Sequence, residues 1–264
     1  MPGAFTVYPC GMIWPFTRKP AAVPEHRTDY EAMLQSFYES FLRPGDTCAD
    51  VGAHTGRHAF PMAAKVAPGG HVHAFEPIPA CQQALREGCA ARPEGAVVTL
   101  YPMALADFEG SSDFVLVKNL PEYSGLRERV YDQPVEKEHI TVAVKRLDDV
   151  LGGLARLRYV KIDAEGGDFG ILKGARALLA RHGPVVSFEF GMNSSVQYGT
   201  QPVEVWDFLA GLGYRVFDIR GRELGREAFD ASGRAQKVWD YVAATARDAA
   251  MVAKNLARTN ARTA

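Results

Sequence analysis

The sequence is poor in cysteine, with four in 264 residues: Cys10, Cys48, Cys81 and Cys89. No two form a C-x-x-C pair, which argues against a thiol zinc site, a redox motif or a disulfide framework. That usage fits reduced thiols and the cytoplasm, and Cys81 and Cys89, in a helical stretch, read as small buried thiols. Charge has no dominant sign: 30 Lys and Arg face 31 Asp and Glu. No overall field therefore favours nucleic acid or an anionic membrane. No stretch approaches the roughly 20 uninterrupted apolar residues of a membrane span, and the segment from Met1 to Lys19 lacks the basic-then-apolar order of a signal peptide. There is no internal repeat.

What remains is an ordinary globular balance, 47% hydrophobic and 23% charged, with room for one large α/β domain. Residues 1–28 carry Pro2, Pro9, Pro15, Pro20 and Pro24, too many for a regular helix. Their aromatic content predicts an arm lying on the domain or on a second subunit of a homo-oligomer. The domain is expected over 29–244. From Asp29 the apolar spacing is helical up to Pro44-Gly45. Strands and helices then alternate: Thr47–Val51, Thr55–Val66, His71–Phe75, Pro79–Ala90, Ala96–Tyr101. This order predicts a parallel sheet with right-handed crossovers. Extended segments follow at Ser112–Val117 and His139–Val144, separated by a polar loop, 118–138, of a length usually reserved for function. Alternation resumes with Arg158–Ile162, Phe169–Arg181, Pro184–Phe190, Val203–Leu212 and Tyr214–Ile219, and Val238–Ala243 closes the sheet. Residues 245–264 read as a helix fraying into a tail. Pro61 falls inside the expected helix, where it should bend it.

Three stretches carry chemistry. Asp50-Val51-Gly52-Ala53-His54-Thr55-Gly56 follows a strand and opens a helix. Gly52 and Gly56 permit a tight turn and close approach of a ligand. The loop has neither the G-x-G-x-x-G of a dinucleotide site nor the G-x-x-x-x-G-K-[ST] of a P-loop. Its leading acid argues against a pyrophosphate and for a cationic ligand; S-adenosylmethionine has a sulfonium and an α-amine. Glu76 ends the second strand, with Pro77 after it, where a carboxylate can accept both ribose hydroxyls of an adenosine. Lys161-Ile162-Asp163-Ala164-Glu165-Gly166-Gly167-Asp168 ends another strand in three acids and two glycines, and Asp168 is placed to cap the next helix. Asp163 and Glu165 project to one side if the strand runs on, and splay if the glycines turn it.

The run DVGAHTG, then AFEP, then Tyr101–Asp107, then KIDAEG with Leu172-Lys173-Gly174-Ala175, then Ser187-Phe188-Glu189, resembles the FkbM family of S-adenosylmethionine-dependent methyltransferases. The resemblance implies a Rossmann-like class I methyltransferase fold, with helices on both faces of a mostly parallel seven-stranded sheet whose seventh strand is inserted antiparallel. It implies O-methylation of a hydroxyl on a small molecule, a sugar or polyketide-type natural product. By position, Asp50, Gly52 and Ala53 would serve the methionine part, Glu76 the ribose, and Ala104 and Leu105 the adenine, with Gly56 and Pro77 as further cofactor-binding candidates. Lys161, Asp163 and Glu165 would border the methyl group. The family usually has Asn where this chain has His54, and a His soon after the acid where this chain has Phe190-Gly191.

A positioned base helps a hydroxyl attack. Asp163 is the first choice, Glu165 the second and His54 an outside candidate. Asp163, Glu165 and Glu189 would instead be the ligands of a divalent cation, which is placed below direct base catalysis. The loop 118–138 is positioned as a lid. The rivals are an NAD-dependent oxidoreductase, which lacks its glycine triplet here, a nucleic-acid methyltransferase, which would want a basic face, and a non-catalytic cofactor-binding protein on the same fold.

Overall fold

The structure is a computed structural model describing residues 29–131 and 133–263; the expected arm, 1–28, lies outside the described residues. Helix α1 (Tyr30–Phe41) opens the domain, with the Asp29 side chain accepting from the Ala32 N–H at its start. Then come β1 (Thr47–Val51), α2 (Ala59–Val66), β2 (His71–Phe75), α3 (Pro79–Ala90), β3 (Val98–Tyr101), β4 (Ala104–Leu105), β5 (Gly110–Val117) and β6 (Lys137–Lys145). They are followed by α4 (Leu147–Leu151), β7 (Tyr159–Ile162), α5 (Asp168–Gly174), α6 (Arg176–His182), β8 (Val185–Glu189) and α7 (Met192–Ser195). The chain finishes with α8 (Pro202–Gly211), β9 (Tyr214–Asp218), β10 (Glu223–Leu224), α9 (Arg226–Ala235), β11 (Asp240–Thr245) and α10 (Ala246–Thr263).

The main sheet runs β10-β9-β11-β8-β7-β1-β2-β3. From β8 to β3 all neighbours are parallel, while β11 lies antiparallel between β8 and β9. This is the expected architecture with one correction: the sheet has eight strands, not seven, because the two-residue β10 folds back on β9. Strand Tyr159–Ile162 is buried on both faces and apolar but for Lys161. One layer of helices packs Met33, Phe37 and Tyr38 of α1 with Val252 and Leu256 of α10 against the sheet; the other packs Ile171, Leu178, Leu179 and Leu209. A small sheet, β4-β6-β5, stands beside the first.

Several boundaries moved for local reasons. Helix α2 begins at Ala59, so Pro61 sits in its first turn, where the missing N–H is not needed, rather than bending it. The single helix expected over Phe169–Arg181 is two, because Ala175 leaves the helical region between α5 and α6. Gly174 there presses on the Ala106 carbonyl so closely that a Cβ would come within 2.1 Å. Helix α10 continues to Thr263, held by buried Ala249, Val252 and Leu256.

The carboxyl ends of β1, β2, β7 and β8 share one edge. Strand order reverses between β1 and β7, since β1 has β2 on one side and β7 on the other. Ligands of open α/β sheets bind in the crevice at such a switch point.

Candidate active site

The loop after β1 is shaped by backbone contact. Gly52 has φ +76°, and a Cβ there would come within 1.9 Å of the Asp163 carbonyl oxygen. No other residue fits between the β1 and β7 loops. The N–H groups of Gly52 and Ala53 both donate to the Phe75 carbonyl, at 3.0 Å. His54 then turns left-handed at φ +50°, a region that Asn and His visit more readily than most residues.

Glu76 is 3% exposed. Its two oxygens accept from the backbone N–H groups of His54, at 2.8 Å, and Ile78, at 2.7 Å. Burial nevertheless pushes its carboxyl up to about 7, against those two hydrogen bonds. A buried acid so balanced gains from any further donor that reaches it.

Beneath the crevice, Lys161 is 3% exposed. Its Nζ donates to Asp163 Oδ2 at 3.1 Å and lies 3.7 Å from Asp50 Oδ1. Burial opposes its charge, but Asp163, Asp50 and Glu31 outweigh it and hold the ammonium above its ordinary range. Asp50 is fully buried, neither of its oxygens has a hydrogen bond, and burial raises its pKa against the pull of Lys161.

The glycines do turn the β7 loop. Glu165 has φ +52° and splays away from Asp163 to pair with Arg129, whose guanidinium lies 4.4 Å over the Tyr123 ring. Burial, then the nearby Asp163 charge, lift Glu165 to about 8 although Arg129 opposes them. Asp168 does not cap α5: it is the first helical residue, facing inward, and accepts from the N–H groups of Gly166 at 3.3 Å and Glu189 at 3.2 Å. Glu189 lies opposite Asp240 of β11, and the charge of Asp163, followed by burial, pushes it well above its usual range.

These groups surround a cavity of about 270 Å³. Of the residues singled out in the sequence, Gly52, His54, Glu76, Pro77, Ala104, Leu105, Asp163, Glu165 and Glu189 line it. Four other candidates do not. Asp50 and Lys161 lie behind the wall, Ala53 is buried, and Gly56 packs on Phe60 and Leu85. They support the site from outside the lining. Part of the 118–138 loop contributes to the wall: Pro121, Glu122, Ser124, Gly125 and Leu126 line the cavity. Hydrogen bonds from Arg127 N to Tyr198 Oη, at 3.1 Å, and from Val130 N to the Asn193 carbonyl, at 3.0 Å, tie the loop to the segment after β8.

Sequence reasoning missed Glu31. This residue of α1 lines the cavity, and its oxygens, with those of Asp163 and Glu189, lie within 4.8 Å of one another. The expected carboxylate trio is corrected accordingly: Glu31 stands where Glu165 was placed, because Arg129 draws Glu165 aside. Behind Glu31, His58 bridges its carboxylate at 2.5 Å and the Tyr38 hydroxyl at 3.0 Å. That hydrogen bond holds the Glu31 carboxyl down at about 2 in spite of burial. A signal existed. Glu31 falls on the same helix face as the buried Leu34 and Tyr38, and an acid on an apolar face asks for a partner.

The Methyltransferase FkbM domain family matches residues 50–216, well over half of the chain. The chain belongs to the FkbM methyltransferase family. Over 158 residues it is 33% identical to the 31-O-demethyl-FK506 methyltransferase FkbM of Streptomyces tacrolimicus, covering 50% of this chain and 60% of that one. It is 28% identical over 152 residues to the methyltransferase sdnD of Sordaria araneosa, covering 47% and 58%. The chain thus spans about three-fifths of these relatives. Among solved structures, it is similar to an FkbM methyltransferase of Methylobacillus flagellatus at TM-score 0.47 and 15% identity, covering 81% of this chain and 55% of that one. It is similar to the O-methyltransferase TomG of Streptomyces achromogenes at TM-score 0.48 and 15% identity, covering 81% and 79%. Helix α1, β10, α9, β11 and α10 lie outside the segment matched by the FkbM domain.

Proposed function

We propose that this FkbM-family protein transfers a methyl group from S-adenosylmethionine to a hydroxyl of a small molecule. The observation carrying the reading is the cradle at the switch point, where a cavity-lining glycine too close to Asp163 to be replaced sits beside a buried, half-satisfied carboxylate on the next strand. The cofactor's parts match it: Glu76 would receive the ribose hydroxyls, Gly52 would let the methionine portion approach, and Ala104 and Leu105 would flank the adenine. Both curated relatives are named as methyltransferases, which supports the reaction class. A sugar or polyketide-type alcohol is the acceptor class we assign.

When bound, the cofactor supplies an electrophilic methyl group on a positively charged sulfur. The chain supplies alignment, dryness and a proton acceptor. Asp163 takes the acceptor's hydroxyl proton on Oδ1, while Lys161 holds Oδ2 and orients the carboxylate. Glu165, bound to Arg129, serves the closed lid rather than the proton. Asp50 fixes Lys161 from below. His54, whose Nε2 is buried without a partner and whose pKa burial lowers, is a neutral wall residue able to bond an acceptor oxygen.

Two measurements test this. Calorimetry should show S-adenosylhomocysteine binding and no binding of NADH. Incubation with tritiated S-adenosylmethionine and a panel of alcohols should label an alcohol, with no loss on adding EDTA. NADH binding alone would return the protein to the oxidoreductases. Inhibition by EDTA relieved by Mg²⁺ would make Asp163 and its neighbours metal ligands.

A further inference from the structure

We propose that Glu31, clamped by His58 and Tyr38, makes the methyl-facing end of the cavity selective for positive charge, so that the acceptor enters as a neutral or cationic nucleophile. The inference rests on the cofactor reading above and adds to it a residue from outside the segment matched by the FkbM domain.

Six carboxylates face the cavity, Glu31, Glu76, Glu122, Asp163, Glu165 and Glu189, and no Lys or Arg is among the described lining residues. Most are already answered. Glu76 accepts two backbone N–H groups, Asp163 takes the Lys161 ammonium, and Glu165 takes Arg129. Glu189 lies among Asp163, Asp240, Glu165 and Asp168, which favour its neutral form. Glu31 differs. Its partner is an imidazole behind the wall, fixed in turn by a buried tyrosine hydroxyl, and its side chain remains 46% exposed. It therefore keeps an ionised carboxylate with one oxygen within 4.8 Å of an Asp163 carboxylate oxygen.

A standing negative charge there has three consequences. It attracts a cation at the methyl position and is indifferent to a neutral thioether, which would help the spent cofactor leave. It favours the movement of positive charge toward the acceptor that accompanies methyl transfer to a neutral oxygen. It repels a carboxylate or phosphate-bearing acceptor, for which this end of the lining holds no cation. His58 and Tyr38 are positioning residues in this scheme, because they act only by aiming and ionising Glu31.

Sinefungin is a suitable probe, since a protonated amine replaces the methylated sulfonium of the cofactor; S-adenosylhomocysteine is its neutral counterpart. Calorimetry on the full chain should find sinefungin bound at least tenfold more tightly than S-adenosylhomocysteine. Glu31→Gln should lower the affinity for sinefungin about tenfold and leave that for S-adenosylhomocysteine within twofold. Glu31→Asp, which keeps the charge, should restore most of the preference, and a melting curve checks each variant. Equal affinity for the two probes in the natural protein overturns the inference even if no variant folds, as does an undiminished preference in a folded Glu31→Gln protein. Failure of both probes to bind would instead remove the cofactor reading, and this one with it.

Discussion

Each Glu76 oxygen accepts one backbone N–H and keeps room for another donor, and burial leaves the carboxyl poised near neutrality. Added donors from a ribose would stabilise the ionised form, so binding should expel a proton. Titrations of S-adenosylhomocysteine at pH 7 in buffers of different ionisation enthalpy should show release of about half a proton, lost in Glu76→Gln. Glu76→Ala should weaken binding by one to two orders of magnitude, since a hydrogen bond to a charged group contributes about 1.5–3 kcal/mol. Asp163 has a different signature. Asp163→Asn keeps the shape and removes the acceptor, so single-turnover methyl transfer should fall by roughly 10²–10⁴ with little change in cofactor affinity. Normal turnover in that variant would exclude Asp163 as the base.

Among the elements, the 118–138 loop is held by a backbone bridge between Gly125 and Val115 and by side chains: Arg129 grips Glu165 and stacks on Tyr123. Arg129→Gln should release it. Protease nicking between Lys118 and Glu136 should speed up several-fold and lose its protection by S-adenosylhomocysteine, while equal cleavage in variant and natural protein would make the loop mere surface. Most elements were legible in the sequence because local pattern determines them. The short, mostly apolar run Tyr159–Ile162 ahead of Gly166-Gly167 reads as a buried strand within the alternation, and Gly52 and Glu76 fall at strand ends whose order that alternation fixes. What was not legible is tertiary. Nothing local to residue 129 says that it will pull Glu165 away from Asp163, and nothing within α1 says that residue 31 will meet residue 163. The break at Ala175 comes from Gly174 pressing on Ala106, a contact made across the fold. Strand β10 escaped notice because two residues carry no periodicity.

On the scale of the whole molecule, the site concentrates acids whose pKa values the fold raises. Glu76, Asp168 and Asp240 are lifted by burial to about 7, and Glu165, by burial and then the Asp163 charge, to about 8. The folded state therefore holds more protons than the unfolded chain between about pH 4.5 and 8, and linkage makes stability fall as pH rises through that window. Urea unfolding of the ligand-free protein should give a midpoint that declines from pH 5 to pH 8, and a rising midpoint would contradict the burial of these groups. Saturating S-adenosylmethionine should flatten the slope, because it stabilises the ionised acids.

The placement of β11 has a temporal consequence. Strands β8 and β9 do not pair with each other; β11 lies between them, so the two stand about 10 Å apart until it arrives. During synthesis the wall bearing Glu189 thus has an empty slot until residue 245 has left the ribosome, long after Glu31 and Gly52 have emerged. The last helix, α10, then docks on the first, α1. A nascent chain halted near residue 236 should be protease-sensitive and unable to retain S-adenosylhomocysteine, however complete its family segment, and adding the final 28 residues should restore both properties together.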